Sequence, residues 1–158
     1  PKVIKGLKSE VGPKIISVIK DMINNHGFSR SVFDAMAALE RMGIKPSIGT
    51  GKIRDRLLSD FAKTLATAGM MTVGWQSESN ANIFIKLAIR YGDADTLERM
   101  KAIIEDNKDQ VIRTMLRAFK NGSEYSIYPA LSSLQNLGFK WPELAIIDKS
   151  VKSMPGAR

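Results

Sequence analysis

Apolar residues recur at helical spacing along almost the whole chain, and a glycine closes nearly every run. Each run must bury one stripe of a helix, so the chain folds only by packing helix on helix. Ile15, Ile16, Ile19, Met22 and Ile23 share a face that ends at Gly27, and Pro13 suits the first turn of that helix. Ser29 or Ser31 can cap the second helix, with Asp34 three residues after Ser31, and Phe33, Met36, Ala37 and Leu39 form its inner side. Its end is written as Gly43 in a left-handed conformation, Ile44 folded back on the last turn and Pro46 beyond.

A third helix is expected over 53–68, with Ile53, Leu57, Leu58, Phe61 and Leu65 as its stripe. The segment 70–75 is the one place where a short strand fits, although its length and glycines favour an apolar connector. After a polar loop at 77–82, a fourth helix carries Ile83, Phe84, Leu87, Ala88 and Tyr91. Asp95 with Glu98 resembles a capping box for the fifth, which presents Leu97, Met100, Ile103 and Ile104. The sixth turns Val111, Ile112, Met115, Leu116 and Phe119 inward, and Asn107 is either a break before it or a bend. Segments 126–137 and 142–152 complete the set. The expected fold is all-α, one domain over 1–158 built as an irregular orthogonal bundle of seven or eight helices, with the first ~10 and last ~6 residues flexible.

One internal similarity crosses this pattern. "SVFDAMAALERMGIK" from Ser31 and "SIYPALSSLQNLGFK" from Ser126 share Ser, Ala, Leu, Gly and Lys at matching positions. Convergence on one capped-helix design accounts for it, and duplication of a helical hairpin is the alternative. Within the first copy, "LERMGIKP" resembles the close of a pentatricopeptide repeat, a family of tandem helix pairs that bind single-stranded RNA. Nothing recurs at the spacing of about 35 residues that such an array needs, so the resemblance stops there.

Composition narrows the function classes. No cysteine is present, which excludes thiol chemistry and disulfides and fits a reducing, cytoplasmic setting. No stretch approaches the ~20 apolar residues of a membrane span, and no signal-peptide pattern follows the basic start, so no membrane partner is expected. The single histidine, His26, stands at a helix end where a cation is favoured, so no metal site is expected. The net charge of +8 favours polyanionic partners. The excess is concentrated in residues 1–60, where 11 basic side chains meet 6 acidic ones.

The loop "GIKPSIGTGKIRDR" tests the obvious enzymatic reading. A phosphate-binding P-loop needs a glycine five residues before the glycine of the Gly-Lys pair, a hydroxyl directly after the lysine, and a preceding strand. Here Pro46 stands at the first glycine position, Ile53 follows Lys52, and a helix precedes. All three requirements fail, and no nucleotide cofactor is expected. A plainer anion site survives, in which backbone N–H groups at the helix start are surrounded by Lys45, Lys52, Arg54 and Arg56.

Rows of basic residues carry the functional expectation. Lys52, Arg56 and Lys63 share a helix face, as do Arg113, Arg117 and Lys120, and Lys86 with Arg90 forms an i, i+4 pair. Such rows suit a phosphate backbone. Trp75 and Trp141 lie in connectors, where an indole can stack on an unpaired base. No serine elbow, zinc helix or cysteine nucleophile is present, and Asp93, Asp95, Asp106 and Asp109 cluster at helix starts as caps. The expectation is therefore a non-enzymatic DNA- or RNA-binding protein without cofactors, an accessory, packaging or nucleocapsid-type factor of a virus, phage or plasmid. The alternative is a protein–protein adaptor or self-assembling module, a homo-oligomer included, that uses the apolar 70–75 connector as its patch.

Overall fold

A helix that is apolar on nearly every side has to be surrounded, and the fourth helix becomes the centre of the molecule for that reason. The computed structural model describes residues 2–48, 51–71, 79–122 and 124–154. Among them are eight helices and no strand: α1 (Lys2–His26), α2 (Arg30–Arg41), α3 (Gly51–Ala68), α4 (Asn80–Tyr91), α5 (Ala94–Asp106), α6 (Lys108–Lys120), α7 (Glu124–Asn136) and α8 (Pro142–Lys152). α4 buries Ala81 to Ile85, Leu87, Ala88 and Tyr91, and packs against α2, α3, α5 and α7. Its Phe84 ring meets Phe28 and Phe61 edge-on, at 5.8 and 5.9 Å between centroids. α3 presses the fully buried Leu57, Phe61 and Leu65 into the same core. Each such side chain contributes roughly 1.5–3 kcal/mol by leaving water.

The matched segments fold alike. Gly43 and Gly138 both take positive φ, 78° and 89°. In each, the glycine N–H bonds the carbonyl three residues back and the next N–H bonds the carbonyl five back: Gly43 to Glu40 with Ile44 to Leu39, and Gly138 to Gln135 with Phe139 to Leu134. That is the Schellman end anticipated for α2, present twice. Val32, Met36 and Leu39 are buried, as are Ile127, Leu131 and Leu134 at the matching positions. The two helices dock at opposite ends of α4. Glu40 of α2 accepts from Arg90 and Tyr91 at its close, while Ser133 of α7 donates to Asn82 at its start.

Several boundaries differ from the sequence reading. α1 starts at Lys2, so Pro13 stands exposed inside the helix rather than in its first turn. Proline's fixed φ suits both places, so the residue alone could not locate the start. The cap of α2 is Ser29, whose hydroxyl accepts from the Val32 N–H. The cap of α5 is Asp93, not Asp95, and it accepts both the N–H and the hydroxyl of Thr96. These bonds, the Thr96 hydroxyl first, hold the Asp93 carboxyl below the usual carboxylate range. Asn107 is a true break, its side-chain amide donating to the Ile103 carbonyl. Ser79 and Asn82, read as loop, are the buried cap and first turn of α4.

The inner face of α6 is also corrected. Thr114 turns inward with Val111 and Met115, while Leu116 is 45% exposed on the outer side. The desolvation cost of burying Thr114 is offset because its hydroxyl donates within the helix, to the Gln110 and Val111 carbonyls.

Candidate nucleic-acid interface

Residues on an α-helix step by about 100°, so Lys52, Arg56, Lys63 and Thr67 fall within about 60° of one another on α3. All four are exposed, on the side opposite Leu57, Phe61 and Leu65. The stripe follows from amphipathicity: three apolar positions seat α3 in the core, and what remains faces water. From Gly51 to Ala68 the helix rises about 25 Å.

Basic side chains from other elements gather at both ends of this stripe. At the start of α3, Lys20 and Asn24 of α1 line one small hollow with Lys52 and Ile53. Lys20 also borders the adjoining cleft with Lys45 of the α2–α3 connector. At the far end, Thr67 and Ala68 share a hollow with Arg117, Asn121 and Ser126, and Gln110 of α6 donates to the Thr67 carbonyl at 3.4 Å. Arg117 continues into a neighbouring concavity with Arg113, Lys120 and the exposed Leu116. Asp109 and Glu143 also line that concavity, and Glu143 is held by Lys108 at 3.5 Å.

Pairing separates the basic residues into two groups. Among the described residues, no carboxylate lies at ion-pair distance from Lys20, Lys45, Lys52, Lys63, Arg113, Arg117 or Lys120. Arg113 makes only a long bond to Gln110, at 3.4 Å. A cation without a partner keeps its full attraction for an incoming anion.

The other expected contacts serve the fold. Arg54 is 20% exposed and reaches across to Asp95 of α5 at 3.2 Å. Arg90 bonds Glu40 at 2.9 Å and lies over the rings of Phe33 and Tyr91, fastening α2 to α4. Arg90 and then Tyr91 hold the Glu40 carboxyl below its usual range, and burial with the Glu40 bond pushes the Tyr91 hydroxyl up. Arg56 pairs with Asp60 one turn on, at 3.0 Å, but stays in the solvent-facing stripe. Lys86 is exposed on α4 and borders none of these hollows.

Trp141 is not presented to solvent. It is 8% exposed, packs on Phe139 and donates its indole N–H to Glu105 at 2.8 Å. Trp75 lies outside the described residues. Of the apolar connector proposed as a protein-binding patch, Met70 is buried and Met71 packs against the core, while 72–75 lie outside the described residues. The exposed Val18, Ile89 and Ile146 are on three different helices, α1, α4 and α8.

Among the described residues, no group of three His, Asp or Glu side chains is placed to hold a metal ion, and no helix is long and apolar enough to cross a membrane. No protein-family model matches the chain, and neither does any curated protein or solved structure.

The sequence reading missed Lys20, which sits beside Ile19 and apart from the lysines at positions 2, 5 and 8 that make the start of the chain basic. It also could not foresee which arginines are consumed. The partners Asp95 and Glu40 stand 41 and 50 residues away along the chain, beyond the reach of any local pattern.

Proposed function

We propose that this protein binds DNA or RNA without catalysing a reaction, holding phosphates along a track that follows the outer side of α3. The track begins at Lys20, Lys45 and Lys52, passes Arg56 and Lys63, and ends at Arg117 with Arg113 and Lys120. The observation that carries this reading is that cations without a carboxylate partner from α1, the α2–α3 connector and α6 border hollows at the two ends of the exposed α3 stripe. With 24 basic side chains against 16 acidic ones, unpaired cations must occur somewhere on this surface, and what sets these seven apart is their position along and at the two ends of the α3 stripe. Each phosphate contact adds sequence-independent, salt-sensitive affinity.

Charge reversal tests the track. Lys52→Glu with Lys63→Glu, and separately Arg113→Glu with Arg117→Glu, should each weaken binding across unrelated sequences by tenfold or more, on the order of 1–2 kcal/mol. All four side chains are exposed, so the thermal midpoints should stay close to that of the parent. Arg99→Glu with Lys101→Glu on α5 serves as the control and should change binding little. Equal loss in all three pairs would reduce the effect to net charge and refute a track.

A further inference from the structure

The α1 end of the track contains a cleft that phosphate contacts alone leave unexplained. It holds about 330 Å³ and is floored by Ile16, Ile19, Ile23, Ile48 and Ile53, with Pro46 beside them. Ile16 is 38% exposed at its mouth. Lys20, Lys45 and, just beyond, Lys52 form the rim, and among the described residues no acidic side chain lines it. An apolar hollow in the middle of a cationic rim is costly to leave wet, because transferring apolar surface out of water is favourable.

The hollow is not a requirement of the hairpin design. Gly27 precedes Ser31 by four residues with φ 73°, and Gly122 precedes Ser126 by four with φ 71°, so a left-handed glycine stands at the matching place ahead of α2 and of α7. In the second hairpin, α8 packs against both helices and buries Leu144, Ile147 and Val151. Among the described residues no helix packs against both α1 and α2 as α8 does against α6 and α7, and the cleft opens between α1 and the start of α3.

The occupant follows from the charge and from continuity with the track. A nucleic acid that runs over Lys20, Lys45 and Lys52 offers its largest flat apolar surface on the faces of its bases. In a duplex those faces are stacked inside, and a duplex laid across the rim leaves the cleft empty. An unpaired base can turn its face into the cleft while its flanking phosphates stay on the lysines. The room is on the order of ten times the volume share of one water, enough for a planar heterocycle.

We propose that this cleft receives one unpaired base, so that the protein selects single strands over duplex. This inference rests on the nucleic-acid reading above and names its substrate class. The walls are aliphatic and not aromatic, so the contact is tolerant of base identity.

The test compares three labelled probes by fluorescence anisotropy at one salt concentration: a thymidine single strand, an abasic strand of equal length, and a duplex containing the thymidine strand. The single strand should bind at least about fivefold more tightly than the abasic strand, roughly what burying about 40 Å² of a base face against apolar wall contributes. It should also bind more tightly than the duplex. Ile16→Gln, a neutral change at the exposed mouth, should bring the single strand down to the abasic level and leave abasic binding as it was. Ile53→Gln, deeper in the cleft, is the second variant should the first leave enough apolar wall. Equal binding of thymidine and abasic strands, or a preference that survives both substitutions, overturns the base-binding cleft while leaving the phosphate track intact. Failure of all three probes to bind removes the nucleic-acid reading itself.

Discussion

Replacing Gly69 with alanine should be more damaging than the same change at Gly122, because two independent costs meet there. Gly69 has φ +60°, a conformation that costs an L-residue about 1–2 kcal/mol. A Cβ would also overlap the Thr114 hydroxyl and stand 3.3 Å from the Val111 Cα, so α6 lies directly on the glycine. Overpacking of this kind costs a further 1–3 kcal/mol, roughly, giving about 2–5 kcal/mol in all. Gly122 isolates the first cost, with φ +71° and nothing within 4 Å of its Cβ position, and Gly122→Ala should lose only about 1–2 kcal/mol. The assay is urea denaturation followed by circular dichroism, with midpoints compared at constant slope. Thr114→Ala should partly rescue Gly69→Ala, since it removes the overlapping hydroxyl but leaves its own Cβ 3.2 Å away. The crossing matters for function because it sets the Arg113–Arg117–Lys120 row at the end of the α3 stripe. Equal losses for Gly69→Ala and Gly122→Ala, with no coupling to Thr114, would refute this packing of α6 on α3.

Phe61→Ala should cost about 3–5 kcal/mol, because the ring is fully buried against Phe84. Leu116→Ala should cost at most about 1 kcal/mol because nearly half of that side chain is already in water, and denaturation midpoints of both variants check the assignment of α6 faces. The depressed carboxyls of Asp93 and Glu40 contribute stability that is present above their ordinary values and lost as pH falls through the folded ones. Urea midpoints should therefore drop in the acid range below about pH 4. Asp93→Asn, which keeps a capping oxygen without the titration, should show a shallower drop, and an identical profile would dismiss the Asp93 contribution.

What could be read from the sequence is what local physics determines. The stripes of α2, α3, α4 and α5, the Gly43 end with Ile44 folded back, and the likeness of 31–45 to 126–140 all follow from periodicity and capping within a turn or two. The failures share a cause in long-range packing. Leu116 and Thr114 have opposite hydropathies, yet the close approach of Gly69 selects the small side chain for the inward position. Trp141 reads as an exposed connector residue until Glu105, 36 residues earlier in the chain, is found beside its N–H. The rows Lys52–Arg56–Lys63 and Arg113–Arg117–Lys120 were visible separately. That they meet end to end depends on how α6 crosses α3, and Lys20 joins them only because α1 lies beside the start of α3.

The central claim is that seven unpaired cations, Lys20, Lys45, Lys52, Lys63, Arg113, Arg117 and Lys120, act together on one polyanion. Its most direct test is the salt dependence of binding to a single strand, measured by anisotropy from about 50 to 200 mM monovalent salt. With about 0.7 counterion released per phosphate contact, seven contacts give a slope of log affinity against log salt near −5. A slope between about −4 and −6 that flattens by about 1.4 units in Arg113→Glu with Arg117→Glu is the result this account predicts. Absent binding at the lowest salt, or a slope near −1 that the reversal leaves unchanged, would contradict it.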